Sequence, residues 1–213
     1  MKNKQVKNNL FIHIPKTAGT SIKDQFQILQ PLYNKHATLQ EVYNDLGIDY
    51  IKSNSPFTIV RNPYDRLVSW FYFHIDLVDP LYRKKLYPYA SFKDWIKNGA
   101  PIHWTSMFAQ DSSPKIFSDK FNNTSELHKP KWISTANFFS QLSWITIDNS
   151  ANAFLDDSRI FKFEDIQKRL KYHINKTNRE LDYRKYYDSE SIEIVTKLCK
   201  TDLEYFNYTY EKT

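Results

Sequence analysis

Lys16, Thr17, Thr20 and Ser21 stand close together in the stretch Leu10-Phe11-Ile12-His13-Ile14-Pro15-Lys16-Thr17-Ala18-Gly19-Thr20-Ser21. A full positive charge beside three hydroxyls is chemistry for holding an anion. The apolar run Leu10 to Ile14 reads as a strand, Ala18 and Gly19 as a small-residue turn, and the residues from about Thr20 as an amphipathic helix. Such a junction leaves unpaired N–H groups at the helix N-terminus, backed by the helix dipole, and these favour a phosphate. The order departs from the triphosphate loop G-x-x-x-x-G-K-[ST], because here the glycine follows the lysine. The expected ligand is anionic, and ATP with magnesium is not the first choice.

A second cationic motif follows in Arg61-Asn62-Pro63-Tyr64-Asp65-Arg66-Leu67-Val68-Ser69. Asn62 as N-cap and Pro63 at the first helical position start a helix directly after the β-rich run Phe57-Thr58-Ile59-Val60. Arg61 therefore falls at the carboxyl end of a strand, where open α/β sheets collect ligands. An arginine fork with the Ser69 hydroxyl two turns along suits a second phosphate. Two anion sites at neighbouring strand ends imply a ligand with two separated phosphate groups. Plainer roles compete. Arg61 can pair with Asp65, a surface contact worth about 0–1 kcal/mol, and Arg66 reads as structural. His13 reads as a core or sheet-face residue, and Glu164 as a cap for a helix start.

The elements that must position these residues follow from pattern. Residues 9–14 and 57–60 read as strands, and Arg159-Ile160-Phe161-Lys162-Phe163-Glu164 as a third strand passing into a helix near Asp165. The first helix carries Ile22, Phe26 and Leu29 on one face and closes at Pro31. Phe92 to Lys97 reads as a short helix, and Ser189 to Asn207 as one last helix. A strand–turn–helix unit used twice argues for a parallel α/β sheet. Residues 76–130 include a Ser-, Asn-, Lys- and Pro-rich tract from Asp111 to Pro130, and read as an insertion suited to substrate contacts.

A chain of 213 residues supports one domain, taken as 1–213. The balance of 30 basic against 24 acidic residues, +6, suits an anionic ligand but is mild for a nucleic-acid binder. With only 3 glycines, Gly19, Gly47 and Gly99 are expected where the backbone needs them. The single cysteine, Cys199, excludes an internal disulfide, and its apolar helical stripe makes it a buried thiol. No stretch approaches the roughly 20 apolar residues of a membrane span, and Leu10 to Ile14 is too short for a signal-peptide core. A cytoplasmic setting is the expectation.

Together the two motifs resemble those of the sulfotransferases, especially the carbohydrate branch that includes heparan sulfate 2-O-sulfotransferase and related bacterial proteins. Pro15 to Ser21 is similar to that family's loop for the 5′-phosphosulfate of 3′-phosphoadenosine 5′-phosphosulfate (PAPS). Arg61 to Ser69 is similar to its 3′-phosphate motif, with Arg61 and Ser69 as ligands. The likeness continues through Phe139 to Trp144, Ile160 to Glu164, and Tyr186-Tyr187 to the helix at Asp202-Leu203. The resemblance implies a P-loop nucleotide-kinase-like three-layer fold, with a central parallel sheet flanked by helices. It implies sulfuryl transfer from PAPS to a carbohydrate hydroxyl, leaving 3′-phosphoadenosine 5′-phosphate, with residues 76–130 contacting the acceptor.

That reaction needs a charge to neutralise the departing phosphate, a task that fits Lys16 and the amides of Thr17, Ala18, Gly19, Thr20 and Ser21. It needs no metal, and no metal-ligand cluster is evident in the sequence. It also needs a base. His36, between the two motifs, is the first candidate, since the resembling enzyme uses a histidine in the comparable interval. His103 is its rival, or an acceptor contact with Trp104 as a stacking platform, and Glu41 and Asp45 follow. Two other classes compete: a P-loop kinase or NTPase, favoured by magnesium-dependent ATP turnover, and a non-catalytic nucleotide or nucleic-acid binding protein, favoured by steeply salt-dependent oligonucleotide binding.

Overall fold

The computed structural model describes residues 9–26, 36–77, 84, 88–102, 138–148, 153–171 and 177–211. Three parallel strands lie in sequence order: β1 (Phe11–Ile12), β2 (Phe57–Val60) and β3 (Ile160–Lys162). Phe11 pairs with Phe57 and Ile12 with Thr58; Thr58, Ile59 and Val60 pair onward with Ile160, Phe161 and Lys162. β1 is shorter than the expected 9–14. Its ladder ends because side chains take its next acceptors: the Thr58 hydroxyl donates to the Ile12 carbonyl at 2.8 Å, and His36 Nδ1 lies 2.9 Å from the His13 carbonyl.

Consecutive strand residues point to opposite faces; β1 and most of β2 are buried on both, while β3 leaves Phe161 exposed at the sheet edge. Ile12 and Val60 enter the larger core with Leu39, Leu67, Trp95 and Trp144. Phe11 and Ile59 enter a smaller one with Ile22, Phe163 and Leu170. A strand covered on both sides favours β-branched and aromatic residues without interruption by charge, as in Phe57-Thr58-Ile59-Val60, where the one hydroxyl, on Thr58, is satisfied by the Ile12 carbonyl.

Among the described residues the bounded α-helices include α1 (Gly19–Phe26), α2 (Leu39–Ser53), α3 (Pro63–Leu77), α4 (Phe92–Lys97), α5 (Phe163–Ile166), α6 (Ser189–Leu198) and α7 (Lys200–Tyr205). α3 begins as expected: Asn62 Oδ1 accepts from the Tyr64 N–H at 3.1 Å and Pro63 follows the cap. The α4 limits agree with the pattern. α2 is a helix that periodicity alone did not suggest, and its signature is the capping box Thr38-x-x-Glu41, in which each side chain takes the other's backbone N–H. Gly47, at φ 79°, breaks it internally. The expected single last helix is two helices, interrupted at Cys199 (φ −109°, ψ 17°). Cys199 is buried as anticipated, and burial pushes its thiol up to about 12.

Candidate active site

The loop joining β1 to α1 turns in an unusual way. Lys16 (φ 69°) and Ala18 (φ 63°) both adopt the left-handed region, although neither is glycine. Each such residue costs about 1–2 kcal/mol, and strain of this kind collects where a loop must present its backbone to a ligand. Left-handed residues alternating with ordinary ones turn successive N–H groups into a concave nest for an anion. The Thr17 hydroxyl, expected to face the ligand, instead donates to the Ile14 carbonyl at 2.9 Å and is fully buried. Thr17 thus braces the loop through its side chain. Ser21 is buried and Thr20 half-buried.

Gly19 is required for a reason other than dihedral freedom. A Cβ at this position would fall inside the His13 imidazole. His13 is buried, in line with the core reading, and its ring lies 4.4 Å from the His36 ring, centroid to centroid. A carbonyl only accepts, so the His36–His13 contact places a proton on His36 Nδ1, which makes Nε2 the ring nitrogen that carries the lone pair whenever the ring is neutral. His36 is itself buried, with the edge of Trp144 beside it. The candidate base is thus anchored at the root of the cationic loop. Of the other candidates, Glu41 is committed to the capping box and Asp45 is exposed on α2. His103 and Trp104 lie outside the described residues.

Arg61 physically joins the two motifs. Its Nη1 donates to the Lys16 carbonyl at 3.0 Å, and its guanidinium stacks 4.3 Å over the Phe163 ring. It does pair with Asp65, at 2.6 Å, but the pair is no surface contact: the two side chains are 8% and 13% exposed. Asp65 also receives Arg179 at 2.7 Å. Two guanidiniums on one carboxylate leave a net positive charge in a nearly buried setting. Burial lowers the Arg179 pKa, while Asp65 opposes that shift. Ser69 is buried on α3, two turns after Arg61.

A frame that sequence reading did not identify holds these parts. Gln141 clamps the Arg61 peptide, its Oε1 accepting from the Arg61 N–H at 2.9 Å and its Nε2 donating to the Arg61 carbonyl at 2.8 Å. Asp202 accepts from the Gln141 and Leu142 N–H groups, and burial raises its pKa. Arg66, fully buried and structural as expected, donates to the Pro15 and Phe138 carbonyls; burial lowers it to about 10. Glu164 caps α3 rather than its own helix, accepting from the Asn62 N–H and the Tyr208 hydroxyl. The sequence signals for this frame were the structural reading of Arg66 and the resemblance running through Phe139 to Trp144, Ile160 to Glu164 and the Asp202-Leu203 helix, which named the segments but not their bonds.

Among the described residues, no helix is long and apolar enough to cross a membrane, and no group of three His, Cys, Asp or Glu residues is arranged to hold a metal. The fold is a parallel α/β sheet whose first two strands each lead into a loop that carries a cationic residue, Lys16 and Arg61. The chain belongs to the sulfotransferase family, whose model matches residues 4–209. No curated protein and no solved structure matches it.

Proposed function

We propose that this chain transfers a sulfuryl group from 3′-phosphoadenosine 5′-phosphosulfate to a carbohydrate hydroxyl, within one domain of nucleotide-kinase-like, P-loop type. Family membership supports sulfuryl transfer in general. The observation that carries the finer reading is the Arg61–Lys16 hydrogen bond, which joins the two anion-adapted motifs into one site. The donor set fits a ligand with phosphates at both ends: Lys16 and the loop N–H groups for one, Arg61 with Ser69 for the other. When bound, the co-substrate supplies an activated sulfur whose bond to the phosphate oxygen breaks as the bond to the acceptor oxygen forms.

The roles of the chain's residues follow. His36 Nε2 takes the proton of the acceptor hydroxyl, while Nδ1–H stays on the His13 carbonyl and keeps the ring aimed. Lys16 and the N–H groups of Ala18, Gly19, Thr20 and Ser21 stabilise the negative charge that grows on the leaving phosphate. Arg66 and Gln141 keep the two loops in register. Residues 76–130 contact the acceptor, with His103 and Trp104 as the residues best suited to a sugar.

The test is transfer of labelled sulfate from PAPS to a panel of polysaccharides, with wild type beside His36→Ala. The variant is expected to lose about 10²–10⁴ in kcat, with its affinity for 3′-phosphoadenosine 5′-phosphate kept. Wild-type turnover by His36→Ala would remove the base assignment.

A further inference from the structure

Helix α3 carries a second feature that faces the loop. The Lys16 ammonium lies 3.9 Å above the centre of the Phe73 ring. Phe73 stands one helical turn after Ser69, so one stripe of α3 presents the hydroxyl of the second motif and then the ring beneath the lysine of the first. The backbone directs this contact. Lys16 is held in the left-handed region, and Arg61 fixes its carbonyl, so the side chain leaves the loop toward α3. An ammonium over an aromatic face is attracted by the ring quadrupole without losing its charge or its donors. A carboxylate in the same place would neutralise the lysine and compete with the ligand. A phenyl ring orients the ammonium without bringing a negative charge of its own.

We infer that Phe73 is a positioning residue for Lys16, setting the ammonium where the leaving phosphate of the proposed sulfuryl transfer needs it. The inference rests on that reading for its chemistry, but not for its geometry. A preorganised charge stabilises a transition state without reorganising at the moment of reaction. A lysine freed from the ring must first be ordered from its many rotamers.

Three measurements test this. In NMR of the lysine side chains, the ε-methylene of Lys16 should be displaced upfield by the ring in the wild type, and Phe73→Leu should abolish that displacement. In steady-state kinetics, Phe73→Leu should lower kcat about 3- to 30-fold and leave the acceptor KM unchanged. Phe73→Tyr, which keeps the ring face, should recover most of the loss. In a Lys16→Ala background, Phe73→Leu should have no further effect, because the two residues act through one contact. Losses that add, or a Lys16 methylene with no ring displacement in the wild type, would overturn the inference. Should Phe73→Leu fail to fold, Phe73→Met provides the same comparison. A wild type that neither turns over PAPS nor binds its product would sink the sulfuryl-transfer reading. The methylene shift would still decide whether the ring holds the lysine.

Discussion

Gly19 shows how closely the candidate site is packed at the level of single residues. Its missing Cβ makes room for the His13 ring, which in turn lies against His36. Gly19→Ala is therefore expected to force the His13 ring aside and cost about 1–3 kcal/mol of stability. Urea denaturation measures this, and an unchanged midpoint would mean that the imidazole moves freely. The same change should weaken binding of 3′-phosphoadenosine 5′-phosphate, because α1 starts at this position. At this scale the positions were legible: Lys16 stands in the turn after β1 and Arg61 at the end of β2, as the pattern suggested. The partnerships were not. Asp65 draws in Arg179 from a segment distant in sequence, and no local spacing reports such a contact. The Thr17 hydroxyl turned inward because a buried loop needs its own carbonyls satisfied.

Element boundaries were legible at some caps and missed at others: the Thr38–Glu41 capping box that opens α2 went unread. Asn62-Pro63 began α3, and the β-branched run 57–60 was the central strand. The break at Cys199 was hidden, because the apolar stripe runs on from α6 into α7. α6 shows how a cap can be tested. Asp188 accepts the Ser191 N–H at 2.9 Å, and this backbone bond, then the Ser191 hydroxyl and Lys97, hold its carboxyl down at about 2. A carboxyl depressed in the folded state stabilises above its unfolded value and loses that contribution as pH falls through the folded one. Asn caps nearly as well as Asp without the charge. Asp188→Asn should be less stable than wild type near neutral pH, and the gap should close as the pH falls toward about 2. Urea midpoints at stepped pH values check this, and a gap that widens on acidification would contradict it.

Across the whole molecule, polar side chains fasten the ends of β1 and β2 to the C-terminal third. Arg66 reaches the loop at Pro15, Gln141 holds Arg61, and Asp202 holds Gln141. The two cationic motifs therefore belong to one rigid assembly, although Lys16 and Arg61 stand 45 positions apart in the chain. Sequence order revealed that both motifs follow strands; the bond between them needed the fold. The proposed function requires this assembly to prefer a nucleotide with a phosphate at each end over one with a single polyphosphate tail. Titration calorimetry of 3′-phosphoadenosine 5′-phosphate, against ADP and against ATP with magnesium, measures that preference directly. A charge-assisted contact to the extra phosphate is worth about 1.5–3 kcal/mol. The 3′-phosphorylated nucleotide should therefore bind at least about tenfold more tightly than either competitor. Equal affinities, or a preference for ATP with magnesium, would contradict the assignment of the two motifs to one PAPS site.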